Sequence, residues 1–122
     1  MLFSLLLSIL NIAIGITTRT NRSVKDMLII QNSTYVLMTE DGKRGRRYIF
    51  RNGKYSSDKV LSSYDLALVF KDASIGFKTL ALGGSTGIQD AINNWDLKLK
   101  GDPSVMIFFA VVMMVALGAI KR

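Results

Sequence analysis

The sequence contains no cysteine and no histidine. Without cysteine there is no disulfide and no thiol chemistry. Without histidine the commonest general base is missing, and so is the usual imidazole ligand of zinc and other transition metals. A Ser-Lys or carboxylate mechanism stays open, but no spacing of those residues points to one. Acid is scarce as well: 9 Asp and Glu stand against 16 Lys and Arg, a formal net charge of +7. That balance suits anionic partners, either nucleic acid or phospholipid head groups. The chain has one proline, Pro103.

Apolar residues are abundant. They make up 49% of the 122 residues, and the mean hydropathy is +0.29. A chain of this length fits one domain with a modest core. The apolar excess must face a cavity, a partner or a bilayer.

Much of the excess lies at the two ends. Met1–Ile16 is apolar apart from Ser4, Ser8 and Asn11. It reads as a helix packed on the domain or a membrane surface, as a spanning anchor, or as a signal peptide. It is short for a span and lacks the basic start of a signal. A cytoplasmic, membrane-associated location is the expectation. Val105–Ile120 has no polar side chain. A helix that is apolar all round cannot show a face to water. One side can pack on a sheet. The other must meet a ligand, the N-terminal helix, a second subunit or lipid.

The middle of the chain changes period. Leu28–Gln31 and Tyr35–Thr39 read as extended. Asp41-Gly42 and Asn52-Gly53 are hairpin signals flanking a strand at Arg47–Arg51, with the return strand starting at Lys54–Ser56. In Asp65–Lys71, Leu66, Leu68 and Phe70 alternate with Ala67 and Val69, which predicts a strand covered on both faces. Asp72 is an N-cap candidate for a helix carrying Ala73, Phe77, Leu80 and Ala81, ended by Gly83-Gly84. Thr86 with Gln89 fits a capping box for a second short helix. Trp95–Lys100 reads as a half-exposed strand. Asp102 with Pro103 starts the last helix.

Seven cations, Lys43, Arg44, Arg46, Arg47, Arg51, Lys54 and Lys59, fall within one short stretch, with Tyr48, Phe50 and Tyr55 among them. Such a hairpin can hold nucleic-acid phosphates, attract anionic lipid, or be an edge that charge keeps in solution. The acids Asp58, Asp65 and Asp72 interrupt any longer basic groove, which disfavours nucleic acid. Arg44, Arg46, Arg47, Arg51 and Lys54 are the candidates for contact with an anionic membrane surface.

From about Tyr35 to Leu117 the sequence resembles the sterol carrier protein 2-like lipid-transfer family. The order of features carries the likeness: Asn52-Gly53-Lys54, the strand Asp65–Lys71, two short helices, and then Ala91-Ile92-Asn93-Asn94-Trp95-Asp96-Leu97-Lys98-Leu99-Lys100-Gly101-Asp102. The resemblance implies an α+β fold, with a small, mostly antiparallel five-stranded sheet covered by helices and enclosing an apolar tunnel. It implies no cofactor and no catalysis. It implies binding, and transfer, of a fatty acid, phospholipid, sterol or isoprenoid-like lipid. The wall would come from Leu68, Phe70, Phe77, Leu80, Ile88, Ile92, Leu97, Leu99, Met106, Phe109, Val112 and Met113. Residues 1–25 would be an apolar helix and connector, and 26–122 the lipid-binding domain. Both end helices are more apolar than is usual in the family, which favours membrane association or a homodimer through them. The alternatives are a membrane-anchored protein-interaction module and a nucleic-acid binder using residues 43–59.

Overall fold

Two hairpin turns organise the sheet. Asn52 and Gly53 both take positive φ, 53° and 74°, as a two-residue turn between right-twisted strands requires. They join β2 (Gly45–Arg51) to β3 (Lys54–Asp58). The turn from β1 (Ser33–Thr39) to β2 is held by Asp41. Its Oδ1 accepts the Thr39 hydroxyl at 2.6 Å and the Lys43 amide at 3.0 Å. The computed structural model describes residues 2–30, 32–82 and 87–121; side chains at 2, 23, 28–30, 81, 82, 87, 88 and 117–121 lie outside the description.

After β3 the chain crosses the sheet and enters β4 (Leu66–Phe70), which runs parallel to β1. β5 (Leu97–Gly101) pairs antiparallel outside β4. The strand order is β3-β2-β1-β4-β5, and every pairing except β1–β4 is antiparallel. The crossing segment explains the double apolar face of β4. Leu61 and Tyr64 cover Val36, Ala67 and Val69 on one side, while Leu66, Leu68 and Phe70 face the helices.

The helices lie on that second face. They are α1 (Leu2–Thr20), α2 (Arg22–Ile30), α3 (Ala73–Phe77), α4 (Gly87–Asn93) and α5 (Met106–Lys121). A π-helical turn, Lys78–Leu82, extends α3, and a 3-10 turn, Pro103–Val105, leads into α5. The expected caps are in place. Asp72 accepts the Ile75 amide at 2.8 Å, and Asp102 accepts the Ser104 amide at 2.9 Å. Gly83, Gly84 and Thr86, read as helix punctuation, lie outside the described residues.

α1 packs on α5, α2 and α3 and on β2 and β3. It buries Phe3, Leu6, Leu7, Leu10, Ala13 and Ile14. At ~1.5–3 kcal/mol for a large apolar side chain, that is on the order of 10 kcal/mol of gross burial. Leu2–Thr20 is therefore a core helix of this structure, although its length and composition would also suffice to cross a membrane. Its packing is close: a Cβ on Gly76 of α3 would stand 2.6 Å from the Phe3 ring.

Two local expectations are corrected. Leu28–Ile30 is helical, because α2 starts early: Asn21 Oδ1 accepts the Val24 amide at 3.1 Å, and Val24 and Met27, three apart, turn into the core. Trp95 is outside the last strand. The Asp96 amide reaches Ala91 O at 2.8 Å and the Trp95 amide reaches Ile92 O at 3.1 Å. This is a Schellman end to α4 with Trp95 in the left-handed position, at φ 63°. Its indole is 80% exposed.

Candidate ligand-binding site

Strand alternation puts one set of side chains under the helices. β1 contributes Tyr35 and Leu37, β2 contributes Tyr48 and Phe50, β4 contributes Leu66, Leu68 and Phe70, and β5 contributes Leu97. All are buried. α5 lays Phe108, Phe109, Val112, Met113 and Ala116 on this surface. The centre is aromatic. Phe109 stacks on Tyr35 with centroids 4.3 Å apart, and Phe108 meets Phe50 edge-on at 5.1 Å. Phe3 of α1 meets Phe70 edge-on at 5.7 Å.

The polar atoms of the layer sit at its margins, and each is satisfied. The Tyr35 hydroxyl donates to Val105 O at 2.7 Å, at the entry to α5. The Tyr48 hydroxyl donates to Leu7 O at 3.1 Å, and the Tyr55 hydroxyl donates to Asn11 Oδ1 at 2.6 Å, both on α1. Three phenols thus tie the sheet to the two long apolar helices. Burial pushes the Tyr35 phenol up to about 12, and it raises those of Tyr48 and Tyr55 as well. Among the described residues, no buried side-chain nitrogen or oxygen lacks a partner, and no three His, Cys, Asp or Glu side chains gather as metal ligands. The layer offers an occupant apolar contact and desolvation.

The structure brings most of the expected wall together. Leu68, Phe70, Leu80, Leu97, Phe109, Val112 and Met113 are buried in one cluster, with Phe77, Ile92 and Met106 half-buried against it. Leu68, Phe70, Phe109 and Val112 keep no exposed surface at all. At these residues the expected tunnel wall meets itself directly, as an apolar layer does when closing it removes a costly void. Leu99 lies opposite Leu68 on β5 but is 36% exposed, because β5 is the sheet edge. The side chain of Ile88, on α4, lies outside the described residues. Tyr35, Tyr48 and Phe50 complete the layer and were not among the expected wall residues. Tyr35 stands two residues from Leu37 and Tyr48 two from Phe50, and that period-two spacing within each strand was the available signal.

The five expected membrane-contact cations do not share one surface. Alternation along β2 sends Arg46 toward α1, while Arg47 and Arg51 take the far face of the sheet. There they border an open cleft of about 410 Å³ together with Thr34, Tyr64 and Asp65. Arg47 is committed within it. Its Nε donates to Asp58 Oδ1 at 2.8 Å, its Nη2 donates to Oδ2 at 2.5 Å, and its Nη1 donates to Ser63 O at 3.3 Å. The Arg47 hydrogen bond is the main reason the Asp58 carboxyl lies below the ordinary carboxylate range. Lys54 is exposed at the β2–β3 turn. Arg44 and Arg46 instead line a smaller cleft against α1 with Lys43 and Lys59.

The folded chain is similar to a UbiJ-SCP2 ubiquinone synthesis protein, with a TM-score of 0.63 over 93% of this chain and 94% of that one, at 14% identity. It is similar to apo sterol carrier protein 2 from Yarrowia lipolytica, with a TM-score of 0.62 over 93% of this chain and 94% of that one, at 12% identity. A segment of the stereoselective inverting sec-alkylsulfatase from Pseudomonas sp. also matches, with a TM-score of 0.51 and 19% identity, over 72% of this chain but only 14% of the sulfatase. No family model and no curated protein matches the sequence. The fold is that of sterol carrier protein 2.

Proposed function

From that fold, we propose that the protein is a non-catalytic carrier of an apolar ligand with a long hydrocarbon chain. The ligand takes its place between the sheet and helices α1 and α5, which part to admit it because the layer is closed at Leu68, Phe70, Phe109 and Val112, and the carrier works at an anionic membrane surface. The observation that carries this reading is the aromatic and aliphatic layer itself. It runs unbroken from Leu97 and Leu68 to Phe109 and Val112, with its polar atoms satisfied at the margins. Burying hydrocarbon there stabilises the complex by ~0.8 kcal/mol per methylene, without a charged anchor. Solved neighbours called sterol carrier protein 2 share the fold, which supports a lipid ligand. Entry at the β5 edge suits the exposure of Leu99 on the helix-facing side.

The test is displacement of a fluorescent fatty acid by unlabelled oleate. Val112→Trp crowds the layer beneath α5. Its affinity is expected to fall at least tenfold, about 1.4 kcal/mol, which is less than the roughly 0.8 kcal/mol for each of two displaced methylenes. Ile107→Trp, on the outward side of α5 where Ile107 is 75% exposed, should change affinity by less than about twofold, since it leaves the layer intact. Circular dichroism checks that both variants fold. Equal binding by both variants, or no saturable binding by the native chain, would remove the layer as the ligand site.

A further inference from the structure

β5 is the last strand of the sheet, and its outer edge is open. The Asp96 carbonyl accepts the Lys71 amide at 2.9 Å, and the Asp102 amide donates to Asp65 O at 2.8 Å. Antiparallel alternation between these two bonds turns the backbone groups of Lys98 and Lys100 toward β4. It leaves the amides and carbonyls of Leu97 and Leu99 pointing outward. Among the described residues, none bonds to these outward groups. An edge of this kind is a template for a further strand.

The side chains give this edge a pattern. Asp96, Lys98, Lys100 and Asp102 alternate onto the far face, while Leu97 and Leu99 stand on the helix-facing side. Leu99 is exposed there. Lys98 meets Glu40 of the β1–β2 turn at 3.4 Å, an exposed ion pair that exchanges easily for another. Trp95 stands at the start of the edge. It is the single tryptophan of the chain, and it holds the left-handed position that helix ends usually give to glycine. A bulky side chain there strains the backbone, and the exposed indole contributes little to the core. Folding alone gives no reason for a tryptophan at this position.

We propose that the β5 edge, with Trp95 at its head, docks an extended segment of a partner protein as a sixth strand. The segment alternates aliphatic with acidic residues. Its backbone pairs with Leu97 and Leu99, its aliphatic side chains lie beside Leu99, and its carboxylates stand opposite Lys98 and Lys100. Opposite charges facing each other across strands favour that register. The indole of Trp95 covers the end of the added strand. A second copy of this chain fits poorly. With the two edges fully overlapped and antiparallel, Lys98 would face Lys100 and Asp96 would face Asp102. The docking edge borders the ligand entry but does not rest on the carrier reading, since a strand pairs with β5 whether or not the layer takes a lipid.

The test is titration of the full chain with the capped peptide Val-Glu-Val-Glu-Val-Lys, followed by the fluorescence of Trp95. Paired antiparallel, the peptide lies opposite Gly101 through Asp96. Saturable binding with a blue-shifted emission is expected as the indole loses water. N-methylation of the second and third valines, whose amides face Leu99 and Leu97, should lower affinity at least about tenfold. N-methylation of the glutamates, whose amides face away, should change it less than about threefold. The charge-swapped peptide Val-Lys-Val-Lys-Val-Glu should bind about tenfold more weakly. Trp95→Gly, followed by calorimetry, should bind at least about tenfold more weakly, with its urea midpoint kept or raised, because glycine relieves the left-handed strain. Equal losses from methylated valines and methylated glutamates would overturn the proposal, as would native affinity in Trp95→Gly. A blue shift with phosphatidylcholine and phosphatidylglycerol vesicles, and none with the peptide, would overturn it in favour of a lipid surface. Emission that shifts with protein concentration alone would overturn it in favour of a second copy. Fatty-acid displacement separates this inference from the carrier. A native chain that binds oleate but no peptide sinks only the docking edge, and one that binds the peptide but no fatty acid sinks only the carrier.

Discussion

Stability is expected to fall steeply between about pH 10 and pH 12. An unfolded tyrosine ionises near pH 10, whereas burial raises the folded value of Tyr35 to about 12 and those of Tyr48 and Tyr55 upward as well. A group whose folded value is raised contributes its full stability below the unfolded value. It loses that contribution as pH climbs toward the folded one. At 1.36 kcal/mol per unit, Tyr35 alone withdraws on the order of 2–3 kcal/mol by pH 12, and the other two phenols add to this. Even the Tyr35 share is a large part of the 5–15 kcal/mol typical of a folded domain. Tyrosinate absorbance should therefore rise together with loss of helical circular dichroism, since ionised phenols cannot donate to Val105, Leu7 or Asn11. Tyr35→Phe should behave in opposite ways at the two ends of the range. At neutral pH it should be less stable by about 1 kcal/mol, for the lost 2.7 Å hydrogen bond. Near pH 12 it should be more stable than the native chain. Tyrosinate forming while the fold persists would contradict this account of the margins.

Gly101→Ala is expected to destabilise the protein by roughly 3 kcal/mol. Gly101 has φ 103°, and a Cβ there would stand 2.3 Å from Asp65 O, combining left-handed strain with overpacking, each about 1–3 kcal/mol. Asp65 cannot give way. Its amide donates to Thr34 O at 2.8 Å, its Oδ2 accepts the Thr34 amide at 2.7 Å, and its carbonyl accepts the Asp102 amide at 2.8 Å. The position matters for the site because Gly101 ends β5 and hands the chain to Asp102-Pro103, which starts the turn into α5. Urea unfolding should give a lower midpoint with the slope kept. A loss under about 0.5 kcal/mol, the ordinary scale of a surface change, would show that β5 and Asp65 can move apart.

Much of this arrangement was legible because short-range rules governed it. Asn52-Gly53 required a turn of left-handed residues and made one. The two-sided apolar pattern of Leu66–Phe70 required cover on both faces, supplied by helices on one side and by Leu61 and Tyr64 on the other. Asp72 and Asp102 capped what they were expected to cap. Local apolar content misled where a longer-range partner decided. Leu28–Ile30 looked extended, but the Asn21 cap and the burial of Val24 and Met27 made the segment helical. Trp95 looked like strand, but the Schellman bonds of α4 claimed it. The basic stretch looked like one patch, yet a strand alternates, and β2 sent Arg46 one way and Arg47 and Arg51 the other.

The central claim is that the layer between the sheet and α1 and α5 holds a hydrocarbon ligand. Its most direct test is native mass spectrometry of the full chain purified from cells, with organic extraction of whatever is bound. The account predicts a chain mass increased by one lipid, lost on extraction and recovered as a fatty acid, phospholipid, sterol or isoprenoid. A bare chain mass, from protein that takes up no lipid when offered oleate or phospholipid, would contradict it.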